Sequence, residues 1–244
     1  LHAKFKGRYG FFKANVLDTR SMAKICRDAD LVVHFAAETH VDRSISRPMR
    51  FVESNVLGTA SMLNAALKAG HERFFHISTD EVYGSSPDSF FKETDLLRPS
   101  SPYAASKAGA DVMILAYEHT YGIKSTITRS SNNYGPRQHP EKFLPRMITR
   151  LLAGKKVPIY GNGRNIRDWL HVLDNCEAIW HLIKGSHQGV FNISSGNSVS
   201  NIDLTRSVLE IMDKGEDRLE FVNDRKGHDF RYAVDTTKIR SLGW

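Results

Sequence analysis

Cysteine and long apolar runs are both scarce in this sequence. Its 244 residues include only two cysteines, Cys26 and Cys176, which lie far apart and outside any metal-binding spacing. No apolar stretch approaches the roughly 20 residues that a membrane-spanning helix needs. The first residues, LHAKFK, are polar and basic, unlike a signal peptide. These absences exclude a disulfide framework and predict a reduced, cytoplasmic protein without a membrane partner.

Metal-binding and nucleic-acid-binding patterns are missing as well. None of the 11 histidines forms a pair in zinc-type helical spacing with a third ligand nearby, so we expect no metal. The 34 basic and 27 acidic residues give a net charge of +7, but the basic residues are spread along the chain. A nucleic-acid-binding protein concentrates such charge with interleaved aromatics. We therefore expect no nucleic-acid partner, whereas a small anion such as a pyrophosphate fits the charge.

The sequence also has no Gly-x-x-Gly-x-x-Gly turn. A doubly wound dinucleotide-binding domain normally opens with a strand, a Gly-rich turn and a helix whose N-terminus holds the pyrophosphate. We therefore expect this N-terminal strand-turn-helix unit to be absent, with the chain opening at the third strand of such a fold.

Short β-branched or aromatic runs alternate with helix-length segments. This alternation predicts an α/β fold with a doubly wound, Rossmann-like parallel sheet, because several of the runs are apolar throughout. The predicted strands cover residues 11–15, 31–35, 74–78, 124–129 and 190–193. The predicted helices cover residues 21–28, 48–69, 102–121, 141–152, 174–184 and 202–213.

The alternation weakens after residue 135, where Pro, Gly, Asn and charged residues become more frequent. We therefore predict two units. Residues 1–135 and 171–195 form the Rossmann-like cofactor domain. Residues 136–170 and 196–244 form a smaller, discontinuous α/β substrate-binding lobe.

Two short motifs carry reactive side chains. Residues 78–84 read STDEVYG and place Asp80 and Glu81 at the end of a predicted strand, where open α/β sheets bind their ligands. Tyr103 and Lys107 are four residues apart and therefore share one face of a helix. An acid, a base, a phenol and an ammonium form a site that can move protons and a hydride.

These motifs resemble those of a known enzyme family. The triplet at 79–81 and the Tyr-x-x-x-Lys motif are similar to those of the extended short-chain dehydrogenase/reductases. More narrowly, they resemble the nucleotide-diphosphate-glucose 4,6-dehydratases, whose type substrate is dTDP-glucose. The blocks that agree lie at residues 34–44, 131–136, 140–145, 158–161, 166–169 and 224–229.

The resemblance implies a reaction and a role for each catalytic residue. The family oxidises C4 of the glucose with NAD, eliminates water across C5 and C6, and returns the hydride to C6. Tyr103 would take the C4 hydroxyl proton, and the ammonium of Lys107 would favour its phenolate. Glu81 would take the C5 proton and Asp80 would protonate the leaving hydroxyl. Thr79 would bond the sugar near C4.

The resemblance also implies binding residues and an assembly. The residues expected to bind NAD are Asn15, Val16, Phe35, Ala36, Ala37, Thr39, Ser54, Tyr103, Lys107 and Asn133. Those expected to bind the nucleotide sugar are Thr39, His40, Thr79, Asn132, Lys142, Phe143, Pro158, Tyr160, Arg167, Asn201, Arg225 and His228. Asn15 and Val16 replace a usual Asp-Ile pair, and Lys226 replaces a common Pro. The helices at 48–69 and 102–121 predict a homodimer by analogy.

Two alternatives remain. The first is a nucleotide-sugar 4-epimerase of the same superfamily, which needs the Tyr and Lys but not the carboxylate pair. The second is a non-catalytic fragment or binding module that keeps the sugar lobe without a competent NAD site. The carrier nucleotide is open among dTDP, UDP and GDP.

Overall fold

A computed structural model describes residues 7–86 and 88–244. Its strands are β1 (Val32–His34), β2 (Arg73–Thr79), β3 (Lys124–Ser130), β4 (Asn132–Tyr134), β5 (Val157–Tyr160), β6 (Ile166–His171), β7 (Gly189–Ile193), β8 (Ser198–Ser200) and β9 (Leu219–Val222). Strands β1, β2, β3 and β7 are parallel neighbours in that order. The predicted parallel sheet is confirmed, and so are its strands at 31–35, 74–78, 124–129 and 190–193.

The strand predicted over residues 11–15 is wrong. This segment has no regular secondary structure, and none of the described strands pairs with it. Phe11 and Phe12 are 74% and 66% exposed, so their apolar side chains gain little from burial. A strand is stabilised by ladder hydrogen bonds to a neighbour. Without one, the residue pattern alone does not produce a strand.

The helices fall close to the predicted segments. They are α1 (Thr19–Cys26), α2 (Val41–Ser46), α3 (Pro48–Phe51), α4 (Gly58–Lys68), α5 (Pro102–Tyr121), α6 (Phe143–Leu152), α7 (Val172–Lys184), α8 (Asn201–Ile211) and α9 (Thr237–Arg240). A π-helical segment, Val52–Leu57, joins α3 to α4. The helix predicted over 48–69 is therefore one helical run with a π segment inside it, and α2 and α9 were not predicted.

Apolar side chains cover both faces of the parallel sheet, as a doubly wound fold requires. The adjacent residues Phe74 and Phe75 point to opposite faces because side chains alternate along a strand. Phe74 packs with Leu63 and Ile114 in one core. Phe75 packs with residues such as Leu182 in the other. Each phenylalanine is only 1% exposed, so β2 is anchored from both sides.

Helix α5 lies firmly in place beside the carboxyl end of β2. The Ser101 hydroxyl accepts a hydrogen bond from the Ala104 amide, and Pro102 occupies the first turn. Gly122, in the left-handed conformation at φ 72°, ends the helix. A Cβ on Gly109 would lie 3.2 Å from Val56, so the absence of a side chain lets α5 approach the π segment closely.

A second group of elements follows residue 131. Strands β4, β6 and β8 form one small sheet, and β5 and β9 form another. Met147, Leu151, Ile159 and Leu209 belong to a separate core beneath them. These strands were not predicted, and β4 lies inside the segment assigned to the cofactor domain. The two-unit division stays a prediction.

None of the helices in the described parts of the chain is both long and apolar enough to cross a membrane.

Candidate active site

The sequence STDEVYG forms the junction between β2 and a short 3-10 turn, Asp80–Tyr83. Thr79 caps this turn, because its hydroxyl accepts a 3.3 Å hydrogen bond from the Glu81 amide. The same hydroxyl lies 3.3 Å from Oδ1 of Asp80, to which it can donate. The cap directs two consecutive carboxylates away from the end of the strand. We call Thr79, Asp80, Glu81, Tyr103 and Lys107 the catalytic corner.

Asp80 is the more deeply buried of the two carboxylates. It is 3% exposed, and its Oδ2 has no hydrogen-bond partner among the described residues. Burial raises the pKa of Asp80 well above its usual range, the neighbouring Glu81 raises it further, and Arg167 opposes the rise. A carboxyl group in this environment favours its protonated form.

Glu81 is half-buried and lines a cavity. Burial raises its pKa as well, while the guanidinium groups of Arg167 and Arg225 oppose that rise. The phenol of Tyr232 lies 3.4 Å from Oε2 of Glu81, although it bonds more closely to Asp229, at 2.7 Å. Compared with Asp80, Glu81 has more contact with solvent and more opposing positive charge, which favours its ionised form.

Tyr103 lies in the first turn of α5 and packs edge-on against Phe51, with ring centroids 6.4 Å apart. It is 8% exposed. Burial raises the pKa of Tyr103 above its ordinary value, the charge of Glu81 raises it further, and the hydroxyl of Thr79 opposes the rise. This phenol therefore needs positive charge beside it before it can act as a base near neutral pH.

Lys107 lies one turn further along α5 and is 3% exposed. Its Nζ donates a 2.6 Å hydrogen bond to the Ile77 carbonyl and lies 3.0 Å from Nε2 of His76. Burial lowers the pKa of Lys107 to about 8, and Asp111 opposes this effect. Lys107 is expected to favour the phenolate of Tyr103 only while it is charged, and its charge depends on the hydrogen bonds that β2 makes with the ammonium.

A cavity of about 200 Å³ opens beside Glu81. We call it the anion pocket. Apart from Thr79, every residue expected to bind the nucleotide sugar lines it: Thr39, His40, Asn132, Lys142, Phe143, Pro158, Tyr160, Arg167, Asn201, Arg225 and His228. Segments far apart in the sequence are therefore brought together at one cavity. Of the catalytic corner, Glu81 alone is among the lining residues, so this carboxylate connects the two regions.

Three cations of the anion pocket have protein partners. Nζ of Lys142 donates to the Thr39 carbonyl at 2.9 Å, and burial lowers the pKa of this lysine. The guanidinium of Arg167 bonds to the Asp229 carbonyl at 2.9 Å and lies 4.1 Å from the centre of the Tyr232 ring. These contacts fix positive charge around a cavity large enough to admit phosphate oxygens.

The third cation, Arg225, lies 3.6 Å from Oδ1 of Asp42. The Tyr160 hydroxyl donates to the other oxygen of the same carboxylate at 3.2 Å. His228 packs edge-on against Tyr160 and bonds to Asp224 at 2.6 Å. Asp42, at the start of α2, thus joins two lining segments that are distant in sequence.

Several residues of the site were not selected from the sequence. Asp42 lies within the block at 34–44, and Glu141 adjoins Lys142, so both were quoted only as parts of motifs. The lining residues not selected are Val41, Asp42, Glu141, Arg146, Met147, Val157, Trp169 and Tyr232. Asn55 was also missed, although it exchanges hydrogen bonds of 2.8 and 3.0 Å with the Glu38 backbone and donates to Ser106.

The residues expected to contact NAD, apart from Tyr103 and Lys107, are distributed over several segments. Phe35 and Ala36 are exposed where β1 ends, and Asn55 fixes the segment that follows them. Ser54 lies in the π segment, and Oδ1 of Asn133 is buried without a partner among the described residues. Asn15 and Val16 line a separate concavity. The exposed Ala36 and the unpartnered amide oxygen of Asn133 are suited to a polar cofactor. The structure does not bring Asn15 and Val16 to the anion pocket.

A doubly wound parallel sheet with Tyr103 and Lys107 on a helix beside its carboxyl edge is the arrangement of the extended short-chain dehydrogenase/reductases. The family model described as GDP-mannose 4,6 dehydratase matches residues 1–244, and the chain belongs to this family.

Curated relatives and solved structures agree with this placement. The chain is 48% identical to the low-salt glycan biosynthesis protein Agl12 of Haloferax volcanii over 235 residues, covering 96% of this chain and 76% of that protein. It is 48% identical to a dTDP-glucose 4,6-dehydratase of Actinoplanes over 233 residues, 95% of this chain and 73% of that protein. A double mutant of DesIV, the dTDP-glucose 4,6-dehydratase of Streptomyces venezuelae, crystallised with NAD, is 43% identical, with a TM-score of 0.97 over 99% of this chain and 76% of that one.

Proposed function

We propose that this chain dehydrates dTDP-glucose to the 4-keto-6-deoxy sugar, with transient oxidation of C4. The observation that carries the proposal is the carboxylate pair at the end of β2, with Asp80 buried and Glu81 facing the anion pocket. Relatives at 40–48% identity are named dTDP-glucose 4,6-dehydratases, which supports this substrate over UDP- or GDP-glucose.

Binding of the nucleotide sugar falls to the anion pocket. Lys142, Arg167 and Arg225 supply positive charge for the diphosphate, because charge-assisted hydrogen bonds to phosphate are the strongest available. Tyr160 offers a ring face to the base. The glucose then lies at the Glu81 side of the pocket, with its C4 to C6 edge toward the catalytic corner.

NAD is the cofactor, and when bound it accepts the C4 hydride and later returns it to C6. Lys107, Tyr103, Asn133, Ser54 and the segment after β1 would hold it. Tyr103 takes the proton of the C4 hydroxyl. Because the cofactor is regenerated in each cycle, the residues around it need to retain it rather than exchange it.

The carboxylates perform the elimination. The C4 ketone acidifies the C5 proton, which ionised Glu81 removes. Asp80, which burial keeps protonated, gives its proton to the C6 oxygen, and that oxygen leaves as water. Two adjacent carboxyl groups with different environments can thus act as base and acid in one step.

A 4-epimerase is the second candidate from the same superfamily. Epimerisation needs a phenol and an ammonium, but it breaks no bond to the C6 oxygen. It therefore gives no task to a buried, protonated Asp80 next to a half-exposed Glu81. The carboxylate pair favours dehydration.

A homodimer is proposed as the working assembly. The helical run Pro48–Lys68 and helix α5 leave apolar side chains exposed, including Met49, Leu57, Val112 and Leu115. Burial of such a surface against a second copy would stabilise the pair. A cytoplasmic location stays a prediction from the cysteine content.

The test is turnover of dTDP-glucose, UDP-glucose and GDP-glucose by the purified protein, with product identity determined by NMR and bound NAD measured after denaturation. We expect the 4-keto-6-deoxy product, fastest from dTDP-glucose, and its loss in Tyr103→Phe but not in Tyr121→Phe, an exposed tyrosine at the other end of α5. A 4-epimer as product would establish the epimerase. Failure to bind NAD even at millimolar concentration, together with nucleotide-sugar binding, would establish the binding module.

A further inference from the structure

The ammonium group of Lys107 is held by a histidine that the proposed reaction does not use. His76 lies within β2 and is 1% exposed. Its Nε2 lies 3.0 Å from Nζ of Lys107, and the Ile77 carbonyl accepts a second hydrogen bond from the same Nζ at 2.6 Å. An ammonium has three N–H donors, so these two acceptors leave one for the catalytic corner.

We infer that His76 is a positioning residue for the proposed dehydration: as a neutral acceptor, it keeps Lys107 protonated and directs the third N–H toward the catalytic corner. The inference rests on the proposed function for its catalytic consequence, but the contact itself can be tested without turnover.

The surroundings of His76 determine its protonation state. Lys107 donates to Nε2, so the ring proton must lie on Nδ1, which has no hydrogen-bond partner among the described residues. A second ring proton would place two cations in contact. Burial and the charge of Lys107 lower the pKa of His76 well below its ordinary value. The imidazole is therefore an acceptor throughout the physiological pH range.

Other charged and titratable groups surround the His76–Lys107 pair. Oδ1 of Asp111, one turn beyond Lys107 on α5, lies 3.9 Å from Nε2 of His76. Oδ2 of Asp111 is held by Arg129 of β3 at 2.9 Å. His34 of β1 lies against His76 with ring centroids 5.2 Å apart, and its pKa is lowered to about 4, chiefly by burial. Asp111 also favours the charged form of Lys107, but its Oδ2 is paired with Arg129, and the ammonium makes its hydrogen bonds with His76 and Ile77.

Removal of the His76 acceptor is expected to lower the pKa of Lys107. A hydrogen bond to the charged form of a group favours that form, so its loss lowers the pKa of Lys107. The pKa of Lys107 is about 8 before any change. A further fall would bring the deprotonation of Lys107 into the working pH range. At the alkaline end of that range, Lys107 would lose its charge and would no longer favour the phenolate of Tyr103.

Two variants of His76 distinguish the loss of the hydrogen-bond acceptor from a change in side-chain volume. His76→Phe fills the space and keeps a ring against His34 but has no acceptor, whereas His76→Gln keeps an acceptor oxygen. His34→Phe is the matched control, because His34 is equally buried but bonds to Thr59 rather than to Lys107. The direct readout is the titration of the Lys107 side chain by NMR of ¹³Cε-labelled lysine, with the signal assigned by its loss in Lys107→Arg.

We expect the Lys107 midpoint to fall by about one pH unit in His76→Phe, the order expected for loss of one hydrogen bond to a charged group. His76→Gln and His34→Phe should stay close to the parent. The alkaline limb of kcat for dTDP-glucose should move by the same amount in His76→Phe, with KM nearly unchanged. An unmoved midpoint in His76→Phe, or equal shifts in the Phe and Gln variants, would overturn the inference.

A measurement on the unmodified protein covers the case in which His76→Phe does not fold. ¹⁵N NMR of the histidine rings should show His76 neutral with its proton on Nδ1, and a proton on Nε2 would contradict the inference. A shifted Lys107 titration without any dehydration would instead leave the inference intact and count against the proposed function.

Discussion

The catalytic corner and the anion pocket treat charge in opposite ways. In the catalytic corner, burial raises the pKa of Asp80 and Tyr103 and lowers that of Lys107, so each group is moved toward its neutral form. In the anion pocket, Arg167 and Arg225 keep permanent charges and are fixed by protein oxygens. Burial thus shifts proton-exchanging groups of the catalytic corner toward their neutral forms, whereas the two arginines of the anion pocket carry guanidinium groups, which do not deprotonate in proteins.

The largest expected effect comes from removing the buried guanidinium of Arg129, which pairs with Asp111 next to the catalytic corner. Arg129 is 2% exposed and bonds to Asp111 at 2.9 Å and to the Tyr83 hydroxyl at 2.7 Å. Arg129→Met would leave Asp111 buried without its partner, and we expect a loss of about 3–5 kcal/mol in the free energy of unfolding, measured in urea.

The control for Arg129→Met is Arg206→Met. Arg206 pairs with Glu216 at 2.7 Å, but both side chains are more than half exposed. An exposed pair contributes at most about 1 kcal/mol. Equal losses in the two variants would show that the catalytic corner does not depend on buried charge compensation.

The second prediction concerns the anion pocket. Arg225→Gln removes a permanent charge while keeping hydrogen-bonding groups, and we expect KM for the nucleotide sugar to rise about tenfold or more, with kcat little changed. Steady-state kinetics of Arg164→Gln, an exposed arginine outside the pocket lining, provide the comparison. A fall in kcat at constant KM would instead place Arg225 among the groups that assist the chemistry.

The third prediction concerns how the stability of the fold depends on pH. Folding raises the pKa of Asp80, so the folded protein binds a proton that the unfolded chain releases above about pH 4. Asp80 therefore destabilises the fold progressively as pH rises from there toward its folded pKa, by about 1.4 kcal/mol for each pKa unit of the shift.

Asp80→Asn removes this cost, so its melting temperature should exceed that of the parent near pH 8 and converge with it near pH 4. Thermal melts across this range test the sign. Asp28→Asn, at an exposed position, should change little at any pH. A pH-independent loss of stability in Asp80→Asn would mean that the carboxyl group is not held protonated.

The residues of the catalytic corner were selected from two short motifs, each of which is local in the sequence, and their catalytic roles stay a prediction. Asp80 and Glu81 follow a recognisable buried strand, and the spacing of Tyr103 and Lys107 gives one helical face. The anion pocket depended on a family resemblance, since Lys142, Tyr160 and Arg225 meet only through folding. Their common cavity could not be inferred from spacing.

Several of the misses share one physical cause. His76 reads as part of an apolar strand, and its contact with Lys107 depends on how α5 packs against β2. Residues 11–15 have a strand-like pattern, but a strand needs a neighbour that the pattern does not specify. Strands β5 and β9 pair although the partners Val157 and Leu219 are 62 positions apart in the sequence. Each of these three features depends on a partner that is distant in the sequence.

The division of labour between the two carboxylates is tested most directly by solvent deuterium at C5 of the nucleotide sugar, followed by NMR during turnover in deuterated buffer. We predict that Glu81→Gln incorporates no deuterium, while Asp80→Asn still exchanges the C5 proton but loses water about 10²–10⁴-fold more slowly. Glu177→Gln, an exposed residue of α7, should match the parent. Exchange that persists in Glu81→Gln, or that stops equally in Asp80→Asn, would contradict the assignment of base and acid.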